Sequence, residues 1–247
     1  MLSAQDIEKL SLEFETKTPQ EIIRWAIKEY APNIAMSSSF QTQSIPLLHM
    51  VSQIDHTVTV FFIDTGYHFW ETLMFREQIA MEWKLNVFDL YRDTRWDMFA
   101  LQNVRKLPVE DPNLCCYLNK VQPMQKALQG VKAWISGIRR DQTEVRAHAN
   151  ILELQDDGLL KVNPLLNWKK ADVENYMKEH ALPSHPLLEK GYRSVGCAPC
   201  TIAIGVNDDE RAGRWAGRGK TECGLHTEMF KKKKLTDVQQ EFQMEIK

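Results

Sequence analysis

The sequence predicts an α/β fold: a mostly parallel sheet with helices on both faces. Two observations predict it. Short β-branched and aromatic runs alternate with longer segments of helix-like apolar spacing between residues 18 and 179, the pattern of strand–helix–strand crossovers. The chain also has the means to fill a core, with 247 residues, 43% of them hydrophobic and 26% charged, so it needs no disulfide or metal merely to fold.

The elements follow in order. Thr18-Pro19-Gln20-Glu21 reads as a capping box with proline at the first helical position. Ile22, Ile23, Trp25, Ala26 and Ile27 supply that helix's apolar face, and Pro32 stops it. A strand is expected over 33–37, and helical spacing returns at Ile45, Leu48 and Val51. The β-branched and aromatic run 57–64 suits a buried strand. Trp70, Leu73, Met74, Ile79 and Trp83 then mark a helix, and 86–91 a further strand. Helices are expected over about 112–128 and 168–179, and strands over 132–136 and 160–162, joined by right-handed crossovers.

After Pro183 the texture changes, and Gly, Cys, Pro, Arg and Trp concentrate. Residues 211–234 carry eight Lys and Arg against two Glu, in a chain of net charge −2. The expected organisation is an α/β body over 1–205 and a basic, mobile C-terminal segment over 206–247 that lies over the sheet's ligand-binding end.

Several classes are excluded. The strongest apolar run spans only residues 58–63, too short to cross a membrane. The start MLSAQDIEKL shows no basic region followed by an apolar stretch, so no secretory signal is expected. The near-neutral charge argues against a polyanion binder, and Lys231–Lys234 reads as a solvated run without a nucleic-acid motif. Five cysteines in such a chain point to reduced thiols, metal ligands or catalysis, and to the cytoplasm.

Open α/β sheets bind ligands beyond the carboxyl ends of their strands, and three polar turns fall at that edge. Ser37-Ser38-Ser39-Phe40-Gln41 offers hydroxyls and backbone N–H groups before a helix, as a phosphate or sulfate cradle does. Asp64-Thr65-Gly66 offers an acceptor for a ribose hydroxyl or a base amine, or is an ordinary Asp turn. Gly137-Ile138-Arg139-Arg140-Asp141-Gln142, with Arg146 beyond, offers arginines that fork onto anionic oxygens. Gly217-Arg218-Gly219-Lys220-Thr221 imitates the end of a P-loop, but Arg214 stands where its first glycine belongs and no strand precedes it.

The cysteines divide four and one. Cys115 and Cys116 are adjacent, and Cys197 and Cys200 form C-A-P-C 81 residues later. Side chains of adjacent residues diverge, which strains convergence on a single zinc ion. A [4Fe–4S] cluster offers separate irons at its corners and is favoured, with zinc as the alternative. Cys223 has Arg211, Arg214, Arg218, Lys220 and His226 near it in sequence. Cationic neighbours favour a thiolate, the nucleophilic form.

The motifs SSSFQTQS (37–44), IDTGYHFWETL (63–73), CCYLNK (115–120), GIRRDQTEVRA (137–147), GYRSVGCAPCT (191–201), DERAGRW (209–215) and ECGLH (222–226) occur together in this order. The chain thereby resembles the assimilatory sulfonucleotide reductases over roughly residues 30–226, most closely their iron–sulfur branch, the adenylyl-sulfate (APS) reductases. The resemblance implies an adenine nucleotide α-hydrolase-like fold and an oxidoreductase of sulfate assimilation and cysteine biosynthesis. It implies that APS is reduced to sulfite and AMP through an S-sulfocysteine on Cys223, with thioredoxin or glutaredoxin as reductant. Cys115, Cys116, Cys197 and Cys200 would hold the [4Fe–4S] cluster. Lys120 would lie between cluster and substrate. Arg211, Arg214 and His226 would contact the phosphosulfate, and Ser39, Gly137 and Arg146 would line the nucleotide pocket. The stretch Ser39-Phe40-Gln41-Thr42-Gln43-Ser44 lacks the glycines and acid of the related pyrophosphatase loop, which suits a sulfate-ended nucleotide better than ATP cleavage. The rivals are a reductase of 3′-phospho-APS (PAPS) or of both nucleotides, a zinc-bearing ATP-using thiolation enzyme, and a nucleic-acid-binding redox sensor. Oligomeric state is left open, a homo-oligomer included.

Overall fold

Alternating strand faces place helices on both sides of one six-stranded sheet. The computed structural model describes residues 3–93, 106–227 and 230, so the Lys231–Lys234 run and the rest of the terminus lie outside the described residues. The strands are β1 (Ile34–Ser37), β2 (Thr59–Ile63), β3 (Asn86–Leu90), β4 (Ala133–Ile135), β5 (Leu152–Leu154) and β6 (Leu160–Val162), in the spatial order β3-β2-β1-β4-β6-β5. All neighbours pair parallel except β5 with β6, where Leu152 faces Val162 and Leu154 faces Leu160.

Side chains alternate across each strand. Met36, Val60, Phe62, Ile135 and Val162 point to one face, where they meet Ile22, Ile23, Ala26, Leu47, Leu48 and Val51. Those partners lie on α2 (Pro19–Tyr30) and α3 (Ile45–Asp55), and α1 (Ala4–Glu13) adds Ile7 to the same cluster. Ala35, Phe61 and Trp134 point to the other face, against Met124 and Leu128. Each fully buried aliphatic or aromatic side chain there contributes about 1.5–3 kcal/mol relative to exposure.

The capping box at Thr18 and Glu21 starts α2 as its sequence indicates. Two elements escape sequence reasoning. Helix α1 is capped by Ser3 and Asp6 but buries only Ile7 and Ser11, so its apolar stripe is thin. It rests on β5, whose Leu152 N–H donates to Ser11 Oγ at 3.1 Å. That strand is three residues long and has no alternating run to announce it. After α4 (Trp70–Glu82) and α5 (Leu107–Glu110), the segment expected as one helix over 112–128 is broken. It runs as α6 (Pro112–Cys116), a widened π turn (Tyr117–Val121) and α7 (Gln122–Ala127). Such π turns often occur at functional sites, and this one carries Lys120. Helices α8 (Glu144–Ala147) and α9 (Lys170–Glu179) complete the body. Among the described residues no helix is long and apolar enough to cross a membrane.

Strands β1 and β4 are neighbours whose chains leave in opposite directions, β1 toward β2 and β4 toward β6. The crevice beyond their carboxyl ends is the topological switch point, where ligands of open α/β sheets bind.

Candidate active site

A cleft opens at that switch point. It is lined by the loops after β1 and β4 and by residues from the π turn and the C-terminal segment. Ser39, Lys120, Gly137, Arg146, Arg211, Arg214, Cys223 and His226 all line it. The β1 loop owes its shape to Phe40, which adopts a left-handed backbone at φ 51°. Phe40 is fully buried, packs edge-on to Phe62 at 5.7 Å, and its N–H donates to Ser38 Oγ at 3.1 Å. A non-glycine residue there costs backbone energy that the surrounding packing must offset. What it gains is a turn that presents Ser37, Ser38 and Ser39 to the cleft.

Of the two readings of Asp64, the ordinary turn holds: Asp64 does not line the cleft, and its Oδ1 accepts the Gly66 N–H at 2.9 Å. The expectation for the arginine turn is corrected. Arg139 and Arg140 do not line the cleft either. Arg139 is buried and donates to Asp141 at 2.9 Å and Gln43 at 2.7 Å. Arg140 turns outward to Glu15 at 2.7 Å and the Ala149 carbonyl at 3.0 Å. Both arginines therefore satisfy internal carboxylates instead of an external anion.

The cleft lining contains four cations, Lys120, Arg146, Arg211 and Arg214, and no carboxylate among the described residues. Arg211 Nε and Arg214 Nε are buried donors without a partner. Burial, with the Arg146 charge, pushes Arg211 down to about 10, which still leaves it a cation at neutral pH. Unsatisfied buried donors are costly, and an anion is the class of ligand that suits the cleft these two arginines line. Arg214 lies across Gly196 and stacks on Trp215, its guanidinium carbon 4.4 Å from the ring centroid. A Cβ at Gly196 would sit 2.4 Å from that guanidinium. Gly196→Ala is therefore expected to displace Arg214 and weaken binding of a phosphate- or sulfate-bearing ligand in the cleft about tenfold, measured by calorimetry, with little change in the thermal midpoint.

The segment bearing Cys223 is docked through its neighbours. Glu222 is buried and accepts from Arg146 Nε at 2.7 Å, Arg146 Nη2 at 2.6 Å and Thr143 Oγ1 at 3.0 Å. Its Oε1 also accepts the Cys223 N–H at 2.8 Å. Arg146 spends its remaining nitrogen on Gln142. Beyond the cysteine, His226 stacks on Trp134 at 6.3 Å and 11°, and burial, with Arg146 and Lys161 nearby, keeps it well below its ordinary pKa. Trp134 is itself fixed by donating to Ser37 Oγ at 2.9 Å. Cys223 is half-buried and packs beside Cys197, Cys200 and Trp215.

A second, enclosed cavity is lined by Cys115, Cys116, Cys197 and Cys200 together with Thr65, Asn119, Lys120 and Arg214. Lys120 thus belongs to both cavities. A hydroxyl and two N–H donors approach three of the four sulfurs. Thr65 Oγ1 lies 3.3 Å from Cys197 Sγ, Asn119 Nδ2 3.6 Å from Cys115 Sγ, and Arg218 Nη1 3.6 Å from Cys200 Sγ. Burial and the neighbouring thiolates push Cys115 up to about 12. For Lys120, burial alone would lower the pKa, but Cys197, Cys223 and Cys116 outweigh it and raise it. Among the described residues, no three His, Cys, Asp or Glu side chains converge on a single-ion site. Donors aimed at buried sulfurs fit anionic thiolate ligands.

Sequence reasoning missed Glu222, Gly196, Thr65, Asn119 and Trp134 as contributors. Only Glu222 left a signal, a carboxylate directly before the cysteine in a cationic stretch.

Residues 33–203 match the model of the phosphoadenosine phosphosulfate reductase domain family. The chain is 41% identical to an adenosine 5′-phosphosulfate reductase of Streptomyces coelicolor over 89% of its own length and 92% of the relative's. It is 39% identical to one of Bacillus cereus over 90% and 96%. Among solved structures it resembles a phosphoadenylyl-sulfate reductase of Candida auris, with TM-score 0.71 and 29% identity over 82% of this chain and 98% of that one. A Candida glabrata FMN adenylyltransferase shares the fold at TM-score 0.58 and 16% identity, over 85% and 73% of the two chains. The motif resemblance is thus borne out over most of the chain, and the chain belongs to the phosphoadenosine phosphosulfate reductase family.

Proposed function

We propose that the chain reduces adenosine 5′-phosphosulfate to sulfite and AMP. The observation that carries this reading is a free thiol in a switch-point cleft lined by four cations and, among the described residues, by no carboxylate. The names of the Streptomyces and Bacillus relatives support it. In the first step the Cys223 thiolate attacks the sulfate sulfur. The S–O bond to the phosphate breaks, its electron pair leaves with AMP, and an S-sulfocysteine remains. An anion approaching a phosphosulfate must overcome repulsion, and Arg211, Arg214 and Lys120 supply the countercharge where it builds. In the second step a thiol of thioredoxin or glutaredoxin attacks Cys223 Sγ, releases sulfite and leaves a mixed disulfide. The reductant's second thiol resolves it and is oxidised. Attack on Cys223 requires the Glu222–His226 stretch to leave the cleft, so that stretch acts as a hinged carrier.

Cys115, Cys116, Cys197 and Cys200 are the residues that would hold a [4Fe–4S] cluster. Supporting a cluster over one zinc ion, the four thiols line one cavity, and the side chains of adjacent Cys115 and Cys116 diverge, which strains convergence on a single ion. When bound, such a group supplies charge and hydrogen-bonded sulfurs beside Lys120 without having to pass electrons. Lys120→Gln is therefore expected to slow sulfonation of Cys223 about 10²–10³-fold, the effect of removing one electrostatic stabiliser, while iron per chain stays unchanged. Equal loss of iron and rate would make Lys120 merely structural.

The likeness to the Candida auris protein favours a second reading, in which the 3′-phosphorylated nucleotide is also used. Competition between APS and PAPS, compared as kcat/KM, decides between them. The test of the whole reading is incubation with ³⁵S-labelled APS without reductant. Label bound to the protein and released as sulfite by thioredoxin supports it; no label and no sulfite would sink it.

A further inference from the structure

The Gly217-Arg218-Gly219-Lys220 stretch, which imitates a phosphate loop, has no part in the cleft. Its side chains turn to the cysteine cavity. Arg218 Nη1 donates to the Pro108 carbonyl at 2.6 Å and reaches Cys200 Sγ at 3.6 Å, while Nη2 donates to the Pro199 carbonyl at 2.8 Å. Lys220 Nζ donates to the Pro112 carbonyl at 3.2 Å and Asn113 Oδ1 at 2.8 Å, lying 5.6 Å from the Trp215 ring centroid. These partners belong to the segments that carry the four cysteines, the C-A-P-C turn and helix α6, and to helix α5 just before it. Gly217 and Gly219 hold positive φ of 74° and 61°, which lets the chain reverse on either side of Arg218.

We propose that Arg218 is a positioning residue that straps the cysteine cavity closed and donates to the Cys200 sulfur. The proposal rests on the cluster reading above and deepens it. An arginine suits the task because its planar fork reaches two carbonyls and a sulfur at once. A lysine would keep the charge but lose the second arm. The strap acts in two ways. It keeps water and oxygen from the metal-ligating sulfurs, and it stabilises negative charge on Cys200, which makes a bound cluster easier to reduce.

The test uses the full chain purified without oxygen, as wild type, Arg218→Gln and Arg218→Lys. Iron and acid-labile sulfide per chain, absorbance near 400 nm, the rate of bleaching in air with a chelator, and the cluster's reduction potential are measured. Arg218→Gln is expected to bleach at least about tenfold faster than wild type and to shift its potential negative. Arg218→Lys is expected to bleach at an intermediate rate with a smaller shift. A purely structural strap would change bleaching without moving the potential, which overturns the sulfur-donor part. Bleaching of either variant at the wild-type rate overturns the strap, and Arg218→Lys alone serves if the glutamine variant does not fold. Wild type lacking iron and colour overturns the cluster reading itself, a result distinguishable from failure of Arg218.

Discussion

Cys223→Ser is expected to abolish sulfite release from APS, by at least about 10⁴-fold, with iron content and AMP affinity unchanged. The magnitude follows from losing the nucleophile itself, since a serine hydroxyl is almost entirely protonated at neutral pH. Among the five cysteines only Cys223 lines the cleft; the other four are buried in the second cavity. No other thiol can therefore take over the attack. AMP affinity is expected to hold because the substitution leaves Arg211, Arg214 and the serines of the β1 loop in place. The measurement is label from ³⁵S-APS bound to protein without reductant, then sulfite on adding thioredoxin. Normal turnover by the serine variant would show that the acceptor lies elsewhere.

The parts of the protein legible in its sequence are those whose physics is local. The α2 capping box and the apolar runs of β1, β2, β4 and β6 are written in adjacent residues, and the structure has them in place. The division of cysteines into four and one is legible for the same reason, because C-C, C-A-P-C and ECGLH are short patterns. What sequence reasoning missed depends on contacts between distant residues. The Arg139–Arg140 pair reads as an anion fork until Glu15 arrives from 125 residues away to claim Arg140. Gln43 claims Arg139 from 96 residues away. Strand β5 exists because α1 and β6 flank it, not because L-E-L prefers an extended backbone. The need for glycine at 196 appears only once Arg214 is seen lying across it. The π turn is likewise invisible to periodicity, which reads residues 112–128 as one helix, yet it is the turn that brings Lys120 to both cavities.

A second large effect is expected at Glu222, whose carboxylate joins the Cys223 backbone to Arg146 and Thr143. Glu222 and Arg146 are both nearly fully buried, with side chains 3% and 9% exposed. Removing one charge of such a pair costs about 3–5 kcal/mol, because the partner is left buried and uncompensated. Glu222→Gln keeps the shape and one acceptor, so the lower end, about 3 kcal/mol, is expected. That cost falls on docking of the Cys223 segment, since the sheet and its two core faces do not depend on Glu222. At about 1.4 kcal/mol per tenfold, Cys223 should react with iodoacetamide about 10²-fold faster in the variant, and single-turnover sulfonation should slow by a similar factor. Arg146→Gln should produce the same change, and the double variant little more, because the two residues form one contact. The pair also sets a pH dependence. Burial alone would raise the Glu222 carboxyl, but the Arg146 bonds and charge, with Arg211, outweigh it and hold it below its ordinary value. A carboxyl with a lowered pKa in the docked state contributes stability that is complete above its free value, about 4.3, and is lost as pH falls through the docked one. Wild-type Cys223 should therefore grow more accessible to a probe that labels thiols in acid as pH drops below about 4, while Glu222→Gln should show no such step. Identical alkylation of wild type and Glu222→Gln at neutral pH would mean that Glu222 does not hold the nucleophile in place.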